Sequence, residues 1–255
     1  MHKSFPDSGL ARSLLPHAFD HRDGAHDEAH LLRVWRNVEK IMAREGGDRD
    51  ILLAATLLHD CVRVDKASPE RRHASRFAAE KADEVLSALG WEAGKIKQVF
   101  HAIEAHSYSA GLEPVSIEAK ILQDADGLDA IGFIGVARCM YLAGMRGAAR
   151  YQTTDPGAVS RPLDDTAFAL DHFQTKLLTL ADGFRTQTGR GHGTLGQPAR
   201  LLYRAAGRGL LRTLRAVAAT ATGPGGAGSH VDGAVSRALP LQRQRTPQRP
   251  HLSHR

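Results

Sequence analysis

Apolar residues recur every three or four positions through most of the first 190 residues, which is the spacing that lines one face of a helix. The first clear helix contains His30 on its apolar stripe and ends at Gly46-Gly47. The next is capped by Asp48 or Asp50 and carries an apolar run that ends at Leu58.

Four further helices follow from the same pattern. They run from Ser68-Pro69 to Gly90, from Trp91 to Glu104, from Ile117 past Gly132 towards Met140, and from Asp164 or Asp165 to Leu180. A loop rich in Gly, Tyr, Thr and Pro separates the last two at 144–163. Alternating β-branched runs, which would predict strands, do not occur in the sequence. The pattern therefore predicts an all-α fold.

Composition divides the chain into unequal parts. With 255 residues, 42% of them apolar, the chain is long enough to bury one hydrophobic core. The part after Arg190 has ten Arg, no Lys and one acidic residue and carries +9; the total is +6, so the first 190 residues carry −3. We predict a helical domain at 1–190, a basic helical extension at 191–221 and a disordered tail at 222–255.

The C-terminal part has three interpretations. It is a flexible tail, an arm for nucleic acid or a membrane surface, or the product of a reading-frame change in a GC-rich gene. Residues 198–219 are leucine- and arginine-rich and can form a basic amphipathic helix, but only Tyr203 adds an aromatic ring. The net positive charge of the chain comes from this part and not from the helical domain, so nucleic acid is a disfavoured partner.

Other features point to the cytoplasm. No stretch approaches the roughly 18 apolar residues of a membrane helix, and the N-terminus lacks the apolar centre of a signal peptide. Cys61 and Cys139 make neither a disulfide framework nor a zinc motif. We expect a cytoplasmic protein without a membrane partner; the oligomeric state cannot be read from the sequence.

The pair His59-Asp60 stands at the end of the apolar run 51–58. An unpaired charge in such a place costs several kcal/mol. A bound cation removes this cost, because neutral imidazole and ionised carboxylate become its ligands. The alternative is an ordinary polar helix end.

Two other stretches carry candidate ligands. His26 and His30 are one helical turn apart, and His30 begins an apolar stripe and should point inward. Asp124, Asp126 and Asp129 lie in an apolar helix, where they repel one another unless a cation or a turn intervenes. Asp124 and Asp126 differ by about 200° around the helix, so both cannot face one ion.

In order and spacing, these residues resemble the motif series of the HD-domain phosphohydrolase superfamily. The motifs are His30-x-x-Arg33-Val34, His59-Asp60 and Ala125-Asp126-x-Leu128. Three more resemble the small bacterial single-domain YedJ type: Ala105-His106-Ser107, Arg161-Pro162-Leu163-Asp164-Asp165 and His172-Phe173-x-x-Lys176-Leu177-Leu178. The resemblance spans roughly residues 10–190 and implies an HD-domain helical bundle.

The resemblance implies a divalent metal ion and its ligands. These are His30, His59, Asp60 and Asp126, the last chosen over Asp124 on the Ala-Asp-x-Leu match. We expect manganese first, with Mg, Fe, Ni, Zn or Co as alternatives, because a His/Asp set accepts several divalent ions. Gly127 is a departure, since family members more often carry a large basic residue there, and one contact near the site is therefore in doubt.

The implied reaction is metal-dependent hydrolysis of a phosphoester or phosphoanhydride bond in a small phosphorylated substrate, with a nucleotide preferred. We predict Asp60 and His106 as catalytic residues. The predicted substrate-binding residues are His26, Arg33, Lys66, His172 and Lys176. Two rival functions remain: a non-catalytic, metal-containing module that senses a nucleotide, and a nucleic-acid-binding protein that uses the basic tail.

Overall fold

The computed structural model describes residues 5, 9–19, 27–64 and 68–195 as helices joined by turns. The α-helices are α1 (Gly9–Leu14), α2 (Glu28–Glu45), α3 (Arg49–Leu58), α4 (Ala74–Ala88), α5 (Ala93–His106), α6 (Ile117–Ala130), α7 (Phe133–Met145), α8 (Ala169–His172) and α9 (Gln187–Leu195). The 3₁₀ turns are Leu15–His17, Pro69–His73, Tyr108–Ala110 and Leu180–Gly183, and Phe173–Leu177 is π-helical. The described residues contain no strand, only one isolated bridge between Ala149 and Phe168. The predicted all-α class is confirmed.

Helix α3 lies at the centre of the bundle. Its eight residues from Ile51 to Leu58 are all buried, and it contacts α1, α2, α5 and α6. The carboxylate of Asp48 starts the helix by accepting the backbone N–H groups of Asp50 and Ile51, as the sequence indicated. Because α3 is enclosed, the residue that follows it, His59, is also buried.

The predicted helix through Gly132 is wrong: it is two helices, α6 and α7, that meet at an angle of 74°. Gly132 has φ 134°, a positive value that glycine adopts readily and that lies outside the helical region. A Cβ on Gly135 would lie 2.0 Å from the Ala130 carbonyl oxygen, so the close approach of the two helices also needs glycine there. Backbone geometry at the corner overrides the continuous apolar pattern.

The predicted helix start at Asp164 or Asp165 is also wrong, since α8 begins at Ala169. Asp164 instead closes a turn by accepting the backbone N–H groups of Thr166 and Ala167. Phe168 is extended, and the next two amides donate to carbonyls at 149 and 150. This pairing keeps residues 167 and 168 out of the helix.

A second apolar cluster lies beside the main core. Its buried members are Ile131, Leu170, Phe173, Leu177, Leu180 and Phe184. Helix α7 packs on it through Val136, Cys139 and Met140.

Helix α9 crosses the boundary predicted at 190/191, while the amphipathic stretch 198–219 and the tail at 222–255 lie outside the described residues. The three-part division stays a prediction.

Leu86 and Leu89 provide a matched test of the core. Leu86 on α4 is fully buried, whereas Leu89 at the end of the same helix is 43% exposed. We expect Leu86→Ala to lower the free energy of unfolding by about 2 to 5 kcal/mol, because it leaves a cavity. Leu89→Ala should change it by less than about 1 kcal/mol. Urea unfolding of both variants checks this, and equal losses would contradict the placement of α4.

Candidate metal centre

The ends of α2 and α3 bring two histidines and a carboxylate together. The side chain of Asp27 caps α2 by accepting the backbone N–H of His30 at 2.9 Å, which sets His30 in the first turn facing inward. Asp60 Oδ2 lies 3.7 Å from His30 Nε2 and 3.5 Å from His59 Nε2. Both rings are buried, and the two histidines and Asp60 can offer ligand atoms within 4.8 Å of one another.

Asp126 is the carboxylate of α6 that faces this cluster. Its Oδ1 lies 3.7 Å from His30 Nε2 and 3.9 Å from His59 Nε2. The rival, Asp124, is turned away and accepts the backbone N–H groups of Arg185 and Thr186. The two aspartates therefore point in different directions, as their helical spacing requires. Asp124 ties the start of α9 to α6.

Three histidines in the site share one hydrogen-bond pattern, in which Nδ1 lies next to an acceptor. The acceptors are Asp129 Oδ2 for His30 at 2.8 Å, the Thr56 carbonyl for His59 at 2.8 Å and the Ile103 carbonyl for His106 at 2.6 Å. Each ring therefore carries its proton on Nδ1 when neutral, and the lone pair is on Nε2. This is the tautomer that a metal ligand needs.

Asp129 connects the cluster to two arginines. Its carboxylate accepts Nε of Arg33 at 2.6 Å and Nη1 of Arg138 at 2.9 Å, in addition to His30 Nδ1. The side chain of Asp129 is almost fully buried, so these partners keep it ionised. A carboxylate that holds a ligating histidine in this way orients the ring and raises its basicity.

The charges around His30 favour a cation there. Burial opposes protonation of this ring, but the hydrogen bond to Asp129 and the nearby carboxylate of Asp60 outweigh it and raise the pKa of His30 to about 9. Burial would also raise the pKa of Asp129, but His30 and Arg33 hold it well below its usual range. For His59, burial lowers the pKa, which favours a neutral imidazole. The cluster thus combines neutral and anionic donors around a place that attracts positive charge.

The donor set fits a divalent metal ion. His59 Nε2 is buried and has no hydrogen-bond partner among the described residues, which is costly unless a ligand takes its lone pair. Ligand distances of about 2.0 to 2.2 Å put neighbouring donors about 3 to 3.5 Å apart. The observed separations of 3.5 to 3.9 Å need only a small contraction. Two nitrogen and two oxygen donors suit Mn, Fe, Zn and similar ions.

A cleft of about 50 Å³ opens beside Asp126. Its walls include His106, Tyr108, Gln123, Lys176 and Phe184. His106 Nε2 lies 3.9 Å from Asp60 Oδ1, and its ring is 4.9 Å from that of His59. Burial lowers the pKa of the Lys176 ammonium, while the carboxylate of Asp126 acts in the opposite sense. A cation and a histidine thus flank the cleft next to the predicted ligands.

The departure at Gly127 has a structural reason. A Cβ at this position would lie 2.7 Å from Cε1 of the Phe184 ring. The same ring would also be 2.9 Å from a Cβ at Gly193 on α9. Phe184 therefore occupies the space beside α6 where a larger side chain would extend.

The other predicted substrate-binding residues have varied positions. Arg33 uses Nε and Nη2 to hold Asp129. His172 donates its Nδ1–H to Asp165 Oδ2 at 2.8 Å. His26 and Lys66 lie outside the described residues. The roles of all four, like the assignments of the metal ligands, stay predictions.

Sequence reasoning noticed Asp129 without assigning it a role, and it missed Arg138. Signals for both existed. Asp129 follows Asp126 by three positions, as Arg33 follows His30, so both members of each pair share a helix face. Arg138 is the only charged residue of α7 and so required an anionic partner.

The family follows from comparison with known proteins. The sequence profile of the HD domain family matches residues 28–131. The uncharacterized protein YpgQ of Bacillus subtilis (strain 168) is 33% identical over 169 residues, which are 65% of this chain and 74% of YpgQ. This chain belongs to the HD-domain superfamily, whose domains bind divalent metal ions. The narrower YedJ type stays a prediction.

Solved structures support the same assignment. An HD-superfamily hydrolase from Bacillus thuringiensis matches with a TM-score of 0.55 and 28% identity, over 82% of this chain and 97% of that one. Bacillus subtilis YpgQ in complex with ADP matches with a TM-score of 0.55 and 28% identity, over 82% and 95%. The protein therefore has the fold of the HD-superfamily hydrolases.

No single described helix is long and apolar enough to cross a membrane. Among the described residues only the bent pair α6–α7 has the length and composition of a span.

Asp129→Asn tests the support of His30. The amide cannot supply the charge that keeps the ring basic and balances Arg33 and Arg138. We expect the affinity for Mn²⁺, measured by isothermal titration calorimetry, to fall by about 10- to 100-fold. Asp83→Asn, at an exposed position of α4, is the control and should bind Mn²⁺ as the wild type does. Equal affinity of Asp129→Asn and wild type would refute this role.

Proposed function

We propose that this protein is a divalent-metal-dependent phosphohydrolase that acts on a small phosphorylated substrate, preferably a nucleotide. The observation that carries the proposal is the convergence of two buried histidine Nε2 atoms and two carboxylates from α2, the end of α3 and α6. These four groups come from three separate parts of the chain, and a bound cation would account for their convergence.

In this proposal His30, His59, Asp60 and Asp126 hold the metal ion. Such an ion would supply Lewis acidity toward a phosphoryl oxygen and would acidify a water molecule. The protein's own contribution is to turn the Nε2 atoms of both imidazoles toward one place and to keep Asp129 ionised inside the bundle. At His30, Asp129 fixes the ring by accepting its Nδ1–H, and Arg33 and Arg138 in turn hold Asp129.

His106 and Lys176 are proposed to act on the substrate. His106 Nε2 faces Asp60 Oδ1, and the opposite ring nitrogen is held by a carbonyl, so Nε2 can exchange a proton with a group in the cleft. The ammonium of Lys176 lies in the same cleft and can neutralise charge that develops on phosphoryl oxygens. Burial makes this interaction stronger than it would be in water.

A nucleotide is the preferred substrate class because YpgQ, a relative over most of its length, has been solved in complex with ADP. The shared fold supports nucleotide binding by this chain as well. A metal-containing domain that binds a nucleotide without cleaving it is the second candidate, since the same complex is compatible with both.

Asp60→Asn tests the proposed reaction. Phosphate and pyrophosphate release from a panel of nucleoside mono-, di- and triphosphates is measured with added Mn²⁺. We expect metal-dependent release by the wild type and a loss of more than about 100-fold in Asp60→Asn, because even the outer partners of metal ligands are worth 10- to 100-fold. Asp83→Asn should retain full activity.

The outcomes separate the candidates. Undiminished release by Asp60→Asn contradicts the ligand assignment. Nucleotide binding by the wild type without any release, while Mn²⁺ is retained, contradicts the hydrolase and favours the sensing module.

A further inference from the structure

Helix α7 has an unusual surface. Its only charged residue, Arg138, is turned inward to Asp129, and no other Lys, Arg, Asp or Glu lies between Phe133 and Met145. Yet Phe133 is 66% exposed, Ile134 49% and Met145 51%. A helix that is apolar on all sides is normally buried. Large exposed apolar patches mark places where another segment or molecule packs.

The described chain ends close to the start of this helix. His192 on α9 and Gly132, which directly precedes α7, line one cavity of about 250 Å³. Helix α9 ends three residues later at Leu195. Residues 196 and 197 add up to about 7 Å of chain, which is a short link between α9 and the segment that follows.

The segment 198–213 has the pattern that such a surface requires. Leu202, Ala206 and Leu210 are four residues apart, and so are Arg200, Arg204, Arg208 and Arg212. In a helix the first set would form an apolar face directly opposite the arginines. Sixteen helical residues would extend about 24 Å, against about 20 Å for the thirteen residues of α7.

We propose that residues 198–213 dock as an amphipathic helix on the apolar face of α7, with the arginines outward. The docked segment covers Phe133, Ile134 and Met145 and adds a layer to the bundle. It also steadies the helix that carries Arg138, the partner of Asp129. The inference does not depend on the proposed hydrolytic activity.

Hydrogen–deuterium exchange of the full-length chain tests this docking. In the wild type, amides within 201–213 are expected to exchange at least tenfold more slowly than in a synthetic peptide of residues 196–215. Ile134→Glu should remove this protection while the amides of α3 and α5 stay protected. Val159→Glu, at a loop position that is 85% exposed, should leave the protection of 201–213 intact.

The segment supplies its own matched pair. Leu210→Glu puts a charge on the apolar face and should abolish protection, whereas Leu211→Glu falls on the arginine face and should preserve it. The proposal is overturned if the amides of 201–213 in the wild type exchange as fast as in the synthetic peptide. It is also overturned if Ile134→Glu leaves their protection unchanged. A second result would also overturn it: sedimentation velocity shows a dimer that Ile134→Glu dissociates, while the amides of 201–213 exchange freely. A second copy of the chain, and not the segment, would then cover α7.

Discussion

The hydrogen bond between His30 and Asp129 joins α2 and α6, two of the three helices that carry the site. It fixes the ring of His30 at 2.8 Å from a carboxylate that is itself held by two arginines. Ionised groups inside an apolar bundle are tolerated only when each has a partner. Here the partners come from α2, α6 and α7. The charge balance of the site therefore depends on how these three helices pack together.

The same constraint explains why the candidate ligands lie at helix ends. His30 is in the first turn of α2, and His59 and Asp60 follow the last turn of α3. At an end the side chains can face a polar cleft while the body of the helix stays in the core. Asp126 is the exception within α6, and there Gly127 and Phe184 shape the adjacent wall. An apolar interior thus surrounds a small polar centre without uncompensated charge.

Periodicity predicted α2, α4, α5 and the start of α6 because these helices have a face in the core, and the continuous apolar run predicted α3. It failed where contacts distant in sequence decide the backbone. The corner at Gly132 depends on the close approach of Gly135 to Ala130, and the late start of α8 depends on pairing with residues 149 and 150. Neither contact leaves a periodic trace in its own segment. Arg138 was missed for a similar reason, since its partner lies on another helix.

By itself the sequence determined the all-α class, the family motifs and the residue types of a metal centre, because helical spacing and local caps are encoded in neighbouring residues. The family motif favoured Asp126 over Asp124, but only the tertiary structure shows which of the two faces the histidines. It turns Asp126 to His30 and His59 and commits Asp124 to the start of α9. That choice depends on the rotation of α6 against α2 and α3, which is set by packing across the core and not by any local pattern.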